Sequence, residues 1–347
     1  MPLQPENPST EKQLRVGLAG YGLAGRVFHA PLLKGAGFQL AGIVTQNAER
    51  IEQAHGDFPD SKIVGSVEDL LSLDLDLIVV ASANVAHAQD AITALKGGVH
   101  VVVDKPVGRT EAEVRQIADV AESNGLAVIP FFNRRWDSDA ITIKEILKSG
   151  VLGEVFRLDS RFERYRPGNT PKNWREQLSI EQGGGLLLDL QPHLLSTAFD
   201  WFGDGELVYS RVRNIRNMAD DDSVLVVRHH NGVESYLSAS AIIGAPGPRI
   251  RLSGTHGTLV ISDLDPQEAA LRAGLIPTRT GWNPPLASQA FIHRGDEVIK
   301  HQSIGGNYLD FYLAVEAGIR LGKPWPVTIT DAIRVAQVID QAVSLIE

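Results

Sequence analysis

The chain has 347 residues, 43% hydrophobic and 22% charged, with a formal net charge of -9 at pH 7. That composition fits a folded globular protein with room for two cores, and the acidic balance excludes nucleic acid as a routine partner, because phosphate backbones demand clustered Lys and Arg. The chain contains no Cys, which excludes disulfides, thiolate metal sites and Cys nucleophiles.

Residues 1–13 read as a polar, Pro-rich tail without the apolar core of a signal peptide, and no apolar run approaches the ~18 residues of a membrane span. A cytoplasmic protein with no membrane contact is expected. Residues 14–18 form a short apolar strand that runs into Gly20, Gly22 and Gly25, the G-x-G-x-x-G spacing of a dinucleotide site. The first glycine permits the turn, the second lets a pyrophosphate approach the backbone, and the third lets the next helix pack on the strand. The helix amino terminus then offers free N–H groups to the phosphates, with Leu23 in its first turn. Pro31 is expected to break or end this helix soon after His29.

Continuous apolar runs at 39–44, 62–64, 77–80, 99–103 and 126–131 alternate with helical patterns, as parallel strands covered on both faces do. Ser66 with Asp69 and Thr110 with Glu113 mark two helix starts, and Gly125 marks the second helix's stop. Residues 14–134 therefore read as a doubly wound Rossmann domain whose ligand crevice lies outside the strand carboxyl ends. After the second strand come Thr45, Gln46 and Asn47, where an NAD site usually carries an acid. With that acid missing and Arg50 or Arg26 nearby, the cofactor reads as NADP, with NAD as the alternative.

Residues 135–347 read as an α+β domain on a large, mostly antiparallel open sheet. Its expected strands are 155–165, 207–213, 223–228, 233–239, 249–252 and 258–261, with Asn231 and Gly232 as a hairpin turn. Helices are expected at 136–149 closing on Gly150, at 266–272, at 308–321, and at 331–346 after a Thr330 cap. Residues 166–185 read as a mobile loop bordering the site, and 274–285 as irregular.

Three places carry candidate chemistry. Lys105, between Asp104 and Pro106, follows a buried strand on the cofactor edge and can hydrogen-bond a substrate oxygen. Asp189 and His193 are four residues apart, so on one helix they share a face; they read either as a carboxylate-assisted general base or as a structural hydrogen bond. No second His stands at ligand spacing, so no metal site is expected. In the run from Asn133 to Asp137, Asn and Arg suit a polyhydroxylated ligand, while Arg135 reads as an interdomain salt bridge.

Together these motifs resemble the Gfo/Idh/MocA oxidoreductase family. The resemblance rests on the GYGLAG turn, the FHAPLL segment from Phe28, the Asn84 to His87 segment, Asp104-Lys105-Pro106, the Asn133 to Asp137 run and GGGLLLDLQPH ending at His193. It implies a dehydrogenase of a sugar or cyclitol, with Lys105, Asp189 and His193 as catalytic residues. It implies a cofactor set of Gly20, Gly22, Leu23, Gly25, Thr45, Gln46, Arg50, Ser82, Asn84, His87, Asp104, Lys105, Asn133, Trp174 and Arg175, with Arg134, Arg164 and Arg166 toward substrate hydroxyls. It also implies a homodimer or homotetramer formed through the second sheet. Ser82-Ala83 stands where the family usually has Thr-Pro, and Asp104 where it usually has Glu. A sugar dehydrogenase of another specificity and a non-catalytic NADP-sensing regulator are the alternatives.

Overall fold

The computed structural model describes residues 12–168, 174–217 and 219–346. Residues 1–11 of the expected tail and 169–173 of the expected loop lie outside the described residues. The apolar runs become six parallel strands: β1 (Arg15–Ala19), β2 (Gln39–Val44), β3 (Lys62–Val64), β4 (Leu77–Val80), β5 (His100–Val103) and β6 (Val128–Pro130). Their order is β3-β2-β1-β4-β5-β6. Chain direction therefore reverses its progress between β1 and β4, which opens a crevice at the carboxyl ends of these two strands. All four residues of β4 are buried, which accounts for its unbroken apolar sequence.

The second sheet has eight strands: β7 (Val155–Glu163), β8 (Gly205–Arg213), β9 (Asp222–His229), β10 (Glu234–Ser240), β11 (Ile250–Gly254), β12 (Gly257–Ile261), β13 (Ala290–Arg294) and β14 (Glu297–His301). They lie in the order β14-β13-β12-β11-β7-β10-β9-β8, with β10 parallel to β7 and every other pair antiparallel. Leu158, Ser160 and Phe162 alternate on the buried side of β7. On its opposite side Asp159 accepts from Arg157 at 2.8 Å and Arg161 at 3.0 Å. The almost wholly buried helix Gln191–Phe202 packs against β10 and carries His193. Helix Leu309–Leu321 packs on helix Ala30–Ala36, and helix Ile329–Ser344 packs on both Glu111–Ser123 and Gln191–Phe202, so the last helices tie the two sheets together.

Several local expectations change. Pro31 does not end the first helix. Residues Ala24–His29 form a π turn that hands over to an α-helix, Ala30–Ala36, with the proline in its first turn; the wider turn, whose last bond runs from Ala30 N–H to Gly25 O, carries the helix past the missing N–H. The last helix starts at Ile329 and is capped by Thr328, whose hydroxyl and backbone are paired with Asp331; Thr330 lies inside it. Strands β13 and β14 went unread in the sequence. The described parts of 166–185 include helical turns at Trp174–Gln177 and Ile180–Gln182, and the Asn84 side-chain amide donates to Gly183 O at 2.9 Å.

Candidate active site

The glycine-rich turn sits at the mouth of the β1/β4 crevice. Gly25 is a glycine because a Cβ there would overlap the Gly20 carbonyl. At Gly22 the nearest atom to a built Cβ is the Arg50 guanidinium, 3.8 Å away, so the turn has an open side with a cation beside it. That cradle fits a dinucleotide pyrophosphate with an adjoining phosphate. Arg26, the other candidate cation, is already committed to Asp57 at 2.7 Å, in a cluster that includes the Tyr21 hydroxyl. Arg50 makes no side-chain hydrogen bond or ion pair among the described residues, and it follows Asn47, which caps its helix.

Other members of the expected cofactor set are held by the protein itself. Thr45 is buried, and Gln46 donates to Gly65 O at 2.9 Å. Ser82 donates to Asp90 at 2.6 Å, and both nitrogens of His87 face carbonyl oxygens, Pro106 O at 2.8 Å and Ser82 O at 3.1 Å. These side chains shape the crevice wall. Asp104 accepts the Lys105 backbone N–H at 2.8 Å, Asn133 is buried, and Leu23 is exposed beside the turn.

Of the catalytic candidates, Lys105 after β5 and Asp189 at the end of helix Leu186–Asp189 meet directly. Lys105 Nζ donates to Asp189 Oδ1 at 2.8 Å and to Asp189 O at 2.6 Å, and Arg175 Nε lies 3.2 Å from the same carboxylate oxygen, stacked over Trp174. Burial alone would raise the Asp189 carboxyl, but the charges of Lys105, Arg175 and Arg164 outweigh it and hold the group at about 2. Asp189 and His193 do not share one helix. Helix Leu186–Asp189 ends, Leu190 breaks the path, and a second helix begins at Gln191. The expected contact between them is absent: Asp189 turns to its cations, and His193 Nδ1 is buried without a partner. The His193 ring lies edge-on to Phe162 at 6.1 Å. Burial first, then the charges of Lys105, Arg134 and Arg249, push the imidazole well below its ordinary value, so it is neutral at pH 7.

Arg134 is engaged behind the histidine. It donates to Tyr308 Oη at 3.0 Å, Asp137 at 3.3 Å and Glu268 at 2.5 Å, which accounts for its terminal nitrogens. With Arg249, whose guanidinium lies 4.0 Å over the Phe162 ring, it forms a cationic wall behind His193. Arg164 faces Asp189 with its Nε buried and unpartnered, and Arg166 is exposed. Arg135 does tie distant elements, lying 3.1 Å from Asp331 and 2.9 Å from Ser196 Oγ.

Sequence reasoning missed Asp220. Its Oδ2 accepts the Leu187 N–H at 2.7 Å, so it caps the helix that ends in Asp189, and a Cβ on Gly185 would overlap its carboxylate. Its place in a run of three acids is the sequence signal, but such runs ordinarily lie in solvent. Among the described residues no group of His, Asp and Glu could hold a metal ion, and no helix is long and apolar enough to cross a membrane.

Residues 14–132 match the family described as an oxidoreductase family with an NAD-binding Rossmann fold, and residues 140–260 match the C-terminal domain of GFO/IDH/MocA proteins. The scyllo-inositol 2-dehydrogenase (NADP(+)) IolW of Bacillus subtilis is 30% identical, covering 95% of this chain and 92% of its own. The uncharacterized oxidoreductase YdgJ of Escherichia coli is 33% identical over 94% of each chain. A solved structure from Yersinia pestis superposes with a TM-score of 0.85 at 34% identity, covering 96% of this chain and 94% of that one.

Burial, then the neighbouring Asp221 charge, raise the Asp220 carboxyl from 3.8 to about 7 against the pull of its backbone donors. A carboxyl raised on folding stabilises most when protonated, so its contribution is full below pH 3.8 and is lost as pH rises through 7. Thermal unfolding at pH 5 and pH 7 should therefore show a smaller loss of Tm in Asp220→Asn than in the parent. An identical loss in both would remove Asp220 as the titrating group.

Proposed function

We propose that this chain, which belongs to the Gfo/Idh/MocA oxidoreductase family, is an NADP-dependent dehydrogenase that oxidises a secondary hydroxyl of a cyclitol or sugar. In this reading residues 14–134 hold the dinucleotide, and residues 135–347 hold the substrate and mediate assembly into a homodimer or homotetramer. The observation that carries the chemistry is the Lys105–Asp189 pair at the carboxyl end of β5, with His193 Nδ1 buried and unpartnered on the helix that follows Asp189.

His193 accepts the proton of the reacting hydroxyl, which requires the neutral imidazole that burial and nearby cations enforce. Lys105 donates to the same oxygen and stabilises its negative charge as the C–O bond gains double-bond character. Asp189 holds the Lys105 ammonium in place and accepts from a substrate hydroxyl. When bound, nicotinamide would accept the hydrogen of the carbon that bears the reacting hydroxyl, together with its electron pair, as hydride. Arg164 and Arg175 border this position and donate to further hydroxyls, while Arg134 fixes the histidine's surroundings instead of touching substrate. Gly20, Gly22 and Gly25 receive the pyrophosphate, and Arg50 meets a 2′-phosphate. Similarity to IolW supports a cyclitol and NADP.

Reduction of NADP and NAD, followed by nicotinamide absorbance across inositol stereoisomers and aldoses, tests this reading. Turnover of scyllo-inositol with NADP preferred, and a preference weakened in Arg50→Ala, is expected. Tight NADP binding without turnover of any polyol would support a sensor instead. His193→Ala should lose about 100- to 10,000-fold in kcat while still binding NADP, the usual worth of a positioned base. An active variant would remove His193 from that role.

A further inference from the structure

His29 closes the π turn that follows the glycine-rich loop, and it is fully buried. Its Nδ1 lies 2.6 Å from Tyr312 Oη, and Phe131 packs on the ring at 4.3 Å between centroids. Its Nε2 has no hydrogen-bond partner, and Asp104 Oδ2 lies 3.8 Å away, within reach of its charge but beyond a hydrogen bond. The other oxygen of Asp104 accepts the backbone N–H of Lys105.

Packing does not explain the imidazole. A phenylalanine would fill the same space against Phe131 and orphan only the Tyr312 hydroxyl, so that contact accounts for Nδ1 and not for the buried, unpartnered Nε2. Beyond the Tyr312 contact, the imidazole adds a second ring nitrogen 3.8 Å from a carboxylate. Burial, then the Asp104 charge, raise the Tyr312 phenol well above 10, so it keeps its proton and can donate it to Nδ1. The ring proton then resides on Nε2. Burial would raise Asp104, but His29, Lys105 and His87 outweigh it and keep the carboxylate ionised, so the group 3.8 Å from Nε2 is charged.

We propose that His29 is a positioning residue for the reaction: its Nε2–H orients the Asp104 carboxylate, which holds the Lys105 backbone and so aims the lysine at the substrate oxygen. The contact also links the helix that starts at the cofactor turn to the lysine, with Tyr312 from helix Leu309–Leu321 setting the ring. The proposal rests on the role given to Lys105 above.

Gln places an amide N–H near the position of His Nε2, and Asn near that of Nδ1, so the two variants separate the two contacts. His29→Gln should keep kcat within about threefold, and His29→Asn should lose about 10- to 100-fold, the scale of an ångström-level misplacement, with NADP affinity unchanged in both. Equal kcat in the two variants, or a loss that follows weakened NADP binding or a lowered Tm, would overturn it. Should His29→Asn fail to fold, Asp104→Asn provides the second test. It leaves the imidazole in place but sets an amide against its N–H, and it should reproduce the kcat loss; full activity would overturn the proposal. Lys105→Met serves as the separate control: if it stays active, the lysine's role fails, whatever the His29 variants do.

Discussion

The contact between Lys105 Nζ and the Asp189 carboxylate, 2.8 Å long, is the constraint on which the site depends. The lysine follows β5 of the parallel sheet, while the aspartate ends a helix lying over the antiparallel one. Either charge buried alone would cost several kcal/mol, so the two halves of the molecule must approach closely enough to pair them. Arg175 adds a second cation to the same oxygen. The result is an ionised acid and a cation held at fixed positions where the strand ends open. His193, one short helical break beyond Asp189, feels the positive side of that arrangement and stays neutral.

Around this contact, each supporting feature limits how far the pair can move. Asp220 caps the helix that carries Asp189, in space that Gly185 leaves by having no Cβ. Asn84 holds Gly183 to the parallel-sheet side. Arg134, Asp137, Tyr308 and Glu268 form a buried polar group in which the terminal nitrogens of Arg134 are paired, and the Arg134 charge helps hold the imidazole of His193 low. Arg135 joins the turn after β6 to Asp331 in the last helix, which keeps that wall in register with both sheets.

The parallel strands were legible because burial on both faces writes them as unbroken apolar runs, as in Leu77–Val80. The glycine turn was legible because Gly20 and Gly25 lie too close to neighbouring backbone to carry a side chain. The strand β14 was not: four of its five residues are exposed, so its sequence lacks the apolar pattern that marks a strand. Thr328 and Thr330 flank Ile329 with equal capping ability, and the discriminating signal was Asp331 three residues after Thr328. The 183–185 glycines read as flexibility, whereas Gly184 and Gly185 leave room for Leu178 O and Asp220. Spacing alone suggested that Asp189 and His193 pair on one helix; the break at Leu190 sends the carboxylate to Lys105, and no local sequence rule foretells a partner 84 residues away.

The proposed role of His193 as a neutral proton acceptor is tested most directly by the pH dependence of kcat/KM for alcohol oxidation. That profile reports the free enzyme's essential base. With the imidazole pushed well below 6.5, kcat/KM should stay level as pH falls through 6.5 and decline only at distinctly lower pH. A half-maximal value at or above pH 6.5 that is assigned to His193 would contradict the account.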